Sequence, residues 1–432
     1  MRDGDTIVAL SSGAVPSGVA VIRLSGPDVS NILNAIAGGV PKPRRLALRR
    51  IGSDTVLDRG LVAYFPAPHS FTGQDCAELQ VHGSPAGVRA ILRLCTSLGA
   101  RLAEAGEFTR RAFENGKLDL VEIEGLGDLL DAETENQRRQ AVARLEGGLT
   151  AQIDLWRDQL LDLRAEIEAR LDFSDEGDVG DLPTSFAEDV AALHTDIARA
   201  LDSVERGRVL REGLRVALAG APNAGKSSLL NALAKSEIAI VTDEAGTTRD
   251  VREVPIDIGG QLVIFLDLAG LRETASKAEA EGVRRAQAEI ERADLILWLV
   301  APDVPDAVQQ VPVETPLWRV ATKSDLGVTL QDNGLTVSAT SGAGMDELLR
   351  RLSAFATERT GKGEPMLVSR ERDRAALAAA AQSLVTVMTV LGEPELAAES
   401  LRIASQALER LVGRIDAERV LDRLFSSFCI GK

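Results

Sequence analysis

The sequence predicts an open parallel α/β domain inserted in an α-helical domain, with a small α+β domain ahead of both. Three observations predict it. Between about 213 and 357 the chain repeats strand, Gly-rich turn and helix, the pattern of a parallel sheet covered by helices. Apolar positions three or four apart mark long helices on either side of that stretch. Before them, short β-rich runs alternate with Gly and Pro punctuation.

Residues 1–117 carry strand-like runs at Thr6–Leu10, Val19–Leu24, Leu61–Phe65 and Ala77–Val81, and one helical pattern from Ala86 to Leu98. Residues 118–212 form the first helical part. There Ala141, Leu145, Leu149, Ile153, Trp156, Leu160, Leu163, Ile167 and Leu171 make the stripe of a long helix, which Gly147-Gly148 kinks or interrupts. The acidic, breaker-rich run Asp172–Pro183 reads as a loop whose carboxylates need no metal, leading to another helix around Thr184–Arg206. The α/β domain occupies 213–360, with apolar strands Val216–Ala219, Leu262–Leu266, Leu295–Val300 and Trp318–Ala321. Residues 361–432 turn helical again, with the stripe Leu401, Ala404, Leu408, Leu411 and Ile415. The helices on the two sides of the insert are expected to pack together, since surface loops tolerate inserted domains.

With 432 residues, 45% of them hydrophobic, the chain has material for about two to four domains at roughly 100–200 residues each. Its first residues show no basic stretch followed by an apolar run, and nowhere do about 18 apolar residues stand together. Neither a signal peptide nor a membrane span is expected, and a cytoplasmic protein is. Cys76, Cys95 and Cys429 lack metal-ligand spacing and leave one thiol unpaired in any disulfide scheme, which fits reduced thiols. A net charge of −16 excludes a protein that holds nucleic acid by bulk attraction, because phosphate binding needs clustered cations. Any such contact is local. The arginine clusters Arg44/Arg45/Arg49/Arg50, Arg110/Arg111, Arg138/Arg139 and Arg370/Arg372/Arg374 read as solvated faces.

Chemistry enters at Gly220-Ala-Pro-Asn-Ala-Gly225-Lys226-Ser227, which follows the strand Arg215–Ala219 and opens a helix through Leu229, Leu230 and Leu233. Glycines there let backbone N–H groups wrap phosphates, Lys226 reaches the β and γ oxygens, and the Ser227 hydroxyl binds Mg²⁺. This is a P-loop, and alone it says only nucleotide. Two switch-like segments follow. Gly246-Thr247-Thr248-Arg249-Asp250 offers a hydroxyl that can close over the γ-phosphate and Mg²⁺, and Asp267-Leu268-Ala269-Gly270 ends an apolar strand with a carboxylate and a close-approach glycine. Asp325, in Thr322-Lys323-Ser324-Asp325, can accept both guanine N–H donors, and Ser338-Ala339-Thr340 supplies a backbone donor for the guanine oxygen. The base is therefore guanine, and the α/β insert is a Ras-like GTPase domain. Thr322 stands where that superfamily usually has Asn, so base selectivity rests mainly on Asp325. Leu271 occupies the place of the water-orienting Gln of Ras-like proteins and cannot make that bond. Glu273, Glu279 and Glu281 are chemically able to replace it, and residue types do not choose among them.

Three segments carry a resemblance to a family. They are the P-loop with Val241-Thr242-Asp243-Glu244-Ala245-Gly246-Thr247-Thr248-Arg249-Asp250, the run Gly106-Glu-Phe-Thr-Arg-Arg-Ala-Phe-Glu-Asn-Gly-Lys117-Leu-Asp-Leu120, and the end Phe425-Ser-Ser-Phe-Cys429-Ile-Gly-Lys432. Together, and over essentially the whole chain, they resemble the bacterial tRNA modification GTPases of the MnmE (TrmE) family. The resemblance implies a folate-binding, dimerising N-terminal domain, a discontinuous helical domain and an inserted G domain. It implies a nucleotide site of Asn223, Ala224, Gly225, Lys226, Ser227 and Ser228, the 242–248 loop, Asp267 to Gly270, Thr322 to Asp325 and Ser338 to Thr340. Mg²⁺ falls on Ser227 and Thr248, and K⁺ on Asn223, Thr242, Glu244 and Thr247. The water-positioning glutamate falls on Glu279. Leu268 departs from the family's commoner Thr.

A 5-formyl-tetrahydrofolate-type donor falls on Arg23, Glu78, Lys117 and Lys432; as residues alone Arg23 and Lys117 read as surface cations and Glu78 as an ordinary strand residue. Cys429, by itself an incidental thiol among apolar neighbours, is placed near the folate with a part in the modification step. The implied reaction adds an aminomethyl or carboxymethylaminomethyl group to C5 of the tRNA wobble uridine, by a homodimer that joins the flavoprotein MnmG (GidA) in a heterotetramer. Two rival readings are a ribosome-assembly GTPase of the Era or Der kind and an interaction scaffold gated by GTP.

Overall fold

The structure is a computed structural model that describes residues 4–172, 182–236, 239–240, 252–267, 291–304, 315–326, 334–361, 365–415, 420–421, 424–425, 428 and 431. The chain divides into two compact units. One holds residues 1–127, 150–157 and 405–432, the other 128–149 and 158–404.

In the first unit six strands form one sheet: β1 (Ile7–Leu10), β2 (Ser17–Ser25), β3 (Ala47–Gly52), β4 (Val56–Phe65), β5 (Cys76–Gly83) and β6 (Arg101–Leu102), in the order β3-β4-β5-β2-β1-β6. Alternation decides its two faces. Ala20, Ile22 and Leu24 of β2 and Ala77, Leu79 and Val81 of β5 are buried against Ile32, Leu33 and Ile36 of the helix Val29–Ala37 and Val88, Ile91 and Cys95 of the helix Pro85–Ser97. The intervening residues, Arg23 and Glu78 among them, point the other way. Burial pushes the Cys95 thiol up to about 12, so it packs as an inert apolar group. Toward the C-terminus Phe425 and Phe428 meet edge to face, 6.1 Å between centroids, and join Leu120 and Ile123 in a small core. Ser11 Oγ donates to the Gly431 carbonyl at 2.7 Å.

Within the Gly106–Leu120 run, the helix Glu107–Glu114 buries its first residues. Burial would push the Glu107 carboxyl up, but Arg101, the Glu104 N–H and Arg111 outweigh it and hold the group below its usual range. Arg111 also donates to Asp5 and to Gln74. The expected solvated face at Arg110/Arg111 is thus corrected. Arg111 is buried because three acceptors surround it, and Arg110 lies 5.0 Å over the Phe425 ring.

The second unit is built on β7 (Leu214–Gly220), β8 (Arg252–Ile258), β9 (Gln261–Asp267), β10 (Leu295–Val300), β11 (Leu317–Ala321) and β12 (Leu335–Thr336). Their order is β12-β11-β10-β7-β9-β8, parallel except for the edge strand β8, which runs antiparallel to β9. β7 and β10 read as continuous apolar runs because both faces are covered. One face packs against Leu229, Leu230 and Leu233 of the helix Lys226–Ala234 and Leu348, Leu352 and Ala356 of the helix Met345–Thr360. On the other face Ala217, Ala219, Ile296 and Trp298 form a smaller buried cluster with Ala293.

The same unit also holds the helices Glu135–Leu145, Ser185–Asp202, Val204–Glu212 and Glu371–Thr389. The long helical stripe is broken at Gly147, with φ +79, into Glu135–Leu145 and Gly148–Asp172. Before the break its buried face is polar. Gln140 donates to the Gly207 and Met366 carbonyls at 3.2 and 2.7 Å, and Arg144 pairs with Asp373 at 3.0 Å with both side chains fully buried. Among the described residues no helix is long and apolar enough to cross a membrane.

Candidate active site

Strand β7 runs straight into the phosphate-loop sequence and then the helix Lys226–Ala234. At Gly220, φ is +135 and a Cβ would lie 2.4 Å from the Leu299 carbonyl oxygen, so only glycine lets the chain leave the sheet beside β10. Asn223, at φ 65, adopts the left-handed conformation that Asn tolerates better than most residues. Gly225 caps the helix at φ 90 with no side-chain cap. The helix therefore presents its first N–H groups to the loop, an arrangement that attracts anions.

Lys226 Nζ donates to the Gly220 and Ala221 carbonyls at 2.8 and 2.9 Å, which folds the ammonium back over the loop. Ser228 follows, exposed, in the first turn of the helix. Ser227 Oγ donates to Asp267 Oδ2 at 2.9 Å, bringing a hydroxyl from the helix start against a carboxylate from the end of β9. Two hard oxygens meeting there are what Mg²⁺ takes from a protein beside phosphates.

The loop after β11 is fixed to the same place. Thr322 is buried and donates through Oγ1 to the Ala224 carbonyl at 2.7 Å. In the sequence Thr322 marks only the loss of an Asn; in the fold it ties one loop to the other. Lys323 grips Asp303 at 2.7 and 2.8 Å, and its ammonium holds that carboxyl below the usual range. Asp325 is exposed with one oxygen anchored by the Ser338 hydroxyl at 2.7 Å. Ser338 is itself fully buried and held by its N–H to the Ala343 carbonyl, and Ala339 and Thr340 continue that turn. This side-chain bond was not legible, since the sequence marks Ser338 only as a backbone donor. The residues Thr242, Asp243, Glu244, Ala245, Gly246, Thr247, Thr248, Leu268, Ala269, Gly270 and Glu279 lie outside the described residues.

A second constellation sits on the open face of the first unit's sheet. Arg23 and Glu78 are register partners on β2 and β5, and Glu78 Oε1 accepts from Arg23 Nε at 3.1 Å and Nη2 at 2.9 Å. The guanidinium lies 5.4 Å from the Phe71 ring and 5.7 Å from that of Phe108. This is a half-buried ion pair walled by aromatic rings. Lys117 is exposed, and its chain runs against Gly73 in the loop that carries Phe71, where Asn115 Nδ2 donates to the Thr72 carbonyl at 2.7 Å. Phe71 carries no sequence signal, being an isolated aromatic in a loop. Cys429 and Lys432 lie outside the described residues.

Family models match nearly all of the chain: the GTP-binding protein TrmE N-terminus over residues 6–117 and the MnmE helical domain over residues 120–429. The tRNA modification GTPase MnmE of Azorhizobium caulinodans is 49% identical over 439 residues, covering 100% of both chains. That of Rhizobium etli is 49% identical over 434 residues, covering 99% of each. A solved Era structure from Aquifex aeolicus is 27% identical and covers 39% of this chain and 66% of that one, at a TM-score of 0.27. Fold and site together define a P-loop GTPase. Across both flanking parts as well as the insert, the chain belongs to the MnmE family of tRNA modification GTPases.

Proposed function

We propose that this chain hydrolyses GTP to drive modification of the wobble uridine of certain tRNAs, adding an aminomethyl or carboxymethylaminomethyl group at C5 together with the flavoprotein MnmG (GidA). The full-length match to the family carries the reading. It also weighs against an Era or Der type of GTPase, because the matching family models extend through residues 6–117 and 120–429. In cells lacking the chain, wobble uridines are expected to lose the C5 group; unchanged uridines would refute it.

Within the G domain, Lys226 and the loop N–H groups hold the β and γ phosphates, Asp325 reads guanine, and Ser227 with Thr248 holds Mg²⁺. The meeting of Ser227 and Asp267 at 2.9 Å supports that metal position. Asn223, exposed at its left-handed turn, offers an amide oxygen for K⁺, with Thr242, Glu244 and Thr247 completing the set when two G domains of a homodimer meet. Bound K⁺ supplies the positive charge that an arginine finger supplies elsewhere. Such a finger is worth about 10³–10⁵ in rate, so potassium is expected to raise turnover by at least about tenfold over sodium. Equal rates in KCl and NaCl would remove Asn223 from the mechanism.

Glu279 orients the attacking water in place of the missing Gln. Replacing it by Ala is expected to cost about 10²–10³ in turnover while GTP affinity, read by nucleotide titration, stays unchanged. Loss of binding along with turnover would overturn the assignment. In the first unit, the Arg23–Glu78 pair between Phe71 and Phe108 fits a flat heterocycle with a donor edge, and Lys117 and Lys432 fit the carboxylates of a 5-formyl-tetrahydrofolate-type donor. That cofactor supplies the one-carbon unit, and Cys429 takes part in the modification step. The cytoplasm, where tRNA and folate meet, is the site of action.

A further inference from the structure

A chain of net charge −16 cannot gather RNA by bulk attraction, so its contacts with RNA must be local and built. One place in the second unit has that chemistry. Strand β12 pairs with β11 only at Val320 and Ala321, so among the described residues the edge of β11 from Leu317 to Arg319 has no strand beside it on that side. Between this edge and the helix Met345–Thr360 opens a cavity of about 520 Å³ lined by Trp318, Arg319, Arg350, Arg351, Phe355 and Glu358. Its volume is that of a small-ligand site. It lies at the amino end of β11, whereas the GTP loops follow the carboxyl ends of the strands.

The lining is aromatic and cationic. Trp318 and Phe355 meet edge to face at 5.4 Å and 71°, and Arg359 lies 5.1 Å over the Phe355 ring. Arg350 and Arg351 share the single carboxylate of Glu347, at 2.7 and 2.8 Å. Among the described lining residues, the guanidinium groups of Arg319, Arg350 and Arg351 stand with the carboxylate of Glu358. On an acidic chain this local excess of positive charge beside paired rings matches RNA, whose bases stack on aromatics and whose phosphates pair with arginine.

We propose that this cavity is an RNA contact of the chain, in which an unpaired base stacks on Trp318 and Phe355 while Arg319, Arg350 and Arg351 take the flanking phosphates. The inference rests on the tRNA reading above and adds to it a place on the molecule. Its test uses the full chain and an unmodified tRNA transcript. Trp156 and Trp298 are 2% and 6% exposed, so quenching of tryptophan fluorescence by a stacked base reports on Trp318.

Saturable quenching is expected in the wild type and none in Trp318→Phe. The double variant Arg350→Glu/Arg351→Glu is expected to bind tRNA at least about tenfold more weakly by anisotropy, and to flatten the slope of log affinity against log salt by about 1.4–1.8. GTP turnover without RNA, unchanged in these variants, checks that they fold. If the wild type binds tRNA and both variants bind it equally well, the cavity proposal falls alone, and the open β11 edge is left for an acidic protein strand. If the wild type binds no tRNA even at low salt, the cavity proposal falls too; unchanged wobble uridines in cells lacking the chain would then take the tRNA reading with it.

Discussion

Replacing Lys226 with Ala lowers GTP turnover by about 10²–10³-fold, the scale for removing one preorganised charge from a developing oxyanion. The ammonium already lies over the loop, bonded to the Gly220 and Ala221 carbonyls, so little reorganisation is needed when phosphate arrives. Arginine is not expected to rescue the variant, because a planar fork does not replace a compact point charge in so tight a turn. Phosphate release under saturating GTP measures the effect, and a thermal melt separates it from misfolding. Wild-type turnover in Lys226→Ala would mean that the loop does not hold the reacting phosphates.

The second large effect is on stability. Arg144 and Asp373 form a fully buried pair, and removing one member strands the other charge in the interior. Arg144→Ala is therefore expected to destabilise the fold by about 3–5 kcal/mol, whereas the apolar pair Arg144→Met/Asp373→Leu recovers much of that loss. Arg144 also donates to the Leu367 carbonyl, and Asp373 accepts the Ser369 and Arg370 N–H groups at 3.2 Å, so the pair joins the helix Glu135–Leu145 to the segment that follows the α/β insert.

Burial would push the Asp373 carboxyl up, but Arg144, Arg372 and the Ser369 N–H outweigh it and hold the carboxyl low. A carboxyl depressed in the folded state contributes its stability above its unfolded value of about 3.9 and loses it as pH falls through the folded value. Acid unfolding of the wild type should therefore include a step below about pH 4 that Asp373→Asn lacks. An Arg144→Ala variant as stable as wild type to denaturant would contradict the account.

How far the sequence reveals the molecule depends on which signal each element leaves. β7, β9 and β10 are legible because strands buried on both faces become unbroken apolar runs. β8 is not, since Glu253, Pro255 and Asp257 suit an edge strand and break any apolar pattern. β3 hides in the same way behind Arg49 and Arg50. Apolar periodicity finds the helix bearing Ala141 but misses Gln137, Gln140 and Arg144 on its buried face, because polar groups with interior partners look like solvated ones until the fold supplies the partner. The phosphate loop is local and so is fully legible. The tie from Thr322 to Ala224 spans 98 residues, and the rings around Arg23 come from a loop and a distant helix; neither leaves a mark in local sequence.

The proposed function requires that GTP turnover by this chain drive the tRNA modification. It is tested most directly by mass spectrometry of wobble uridines in cells lacking the chain, complemented with wild type or with Lys226→Ala. Restoration of the C5 group by wild type and its absence with stably expressed Lys226→Ala is the predicted result. Full restoration by a variant that no longer hydrolyses GTP would contradict it.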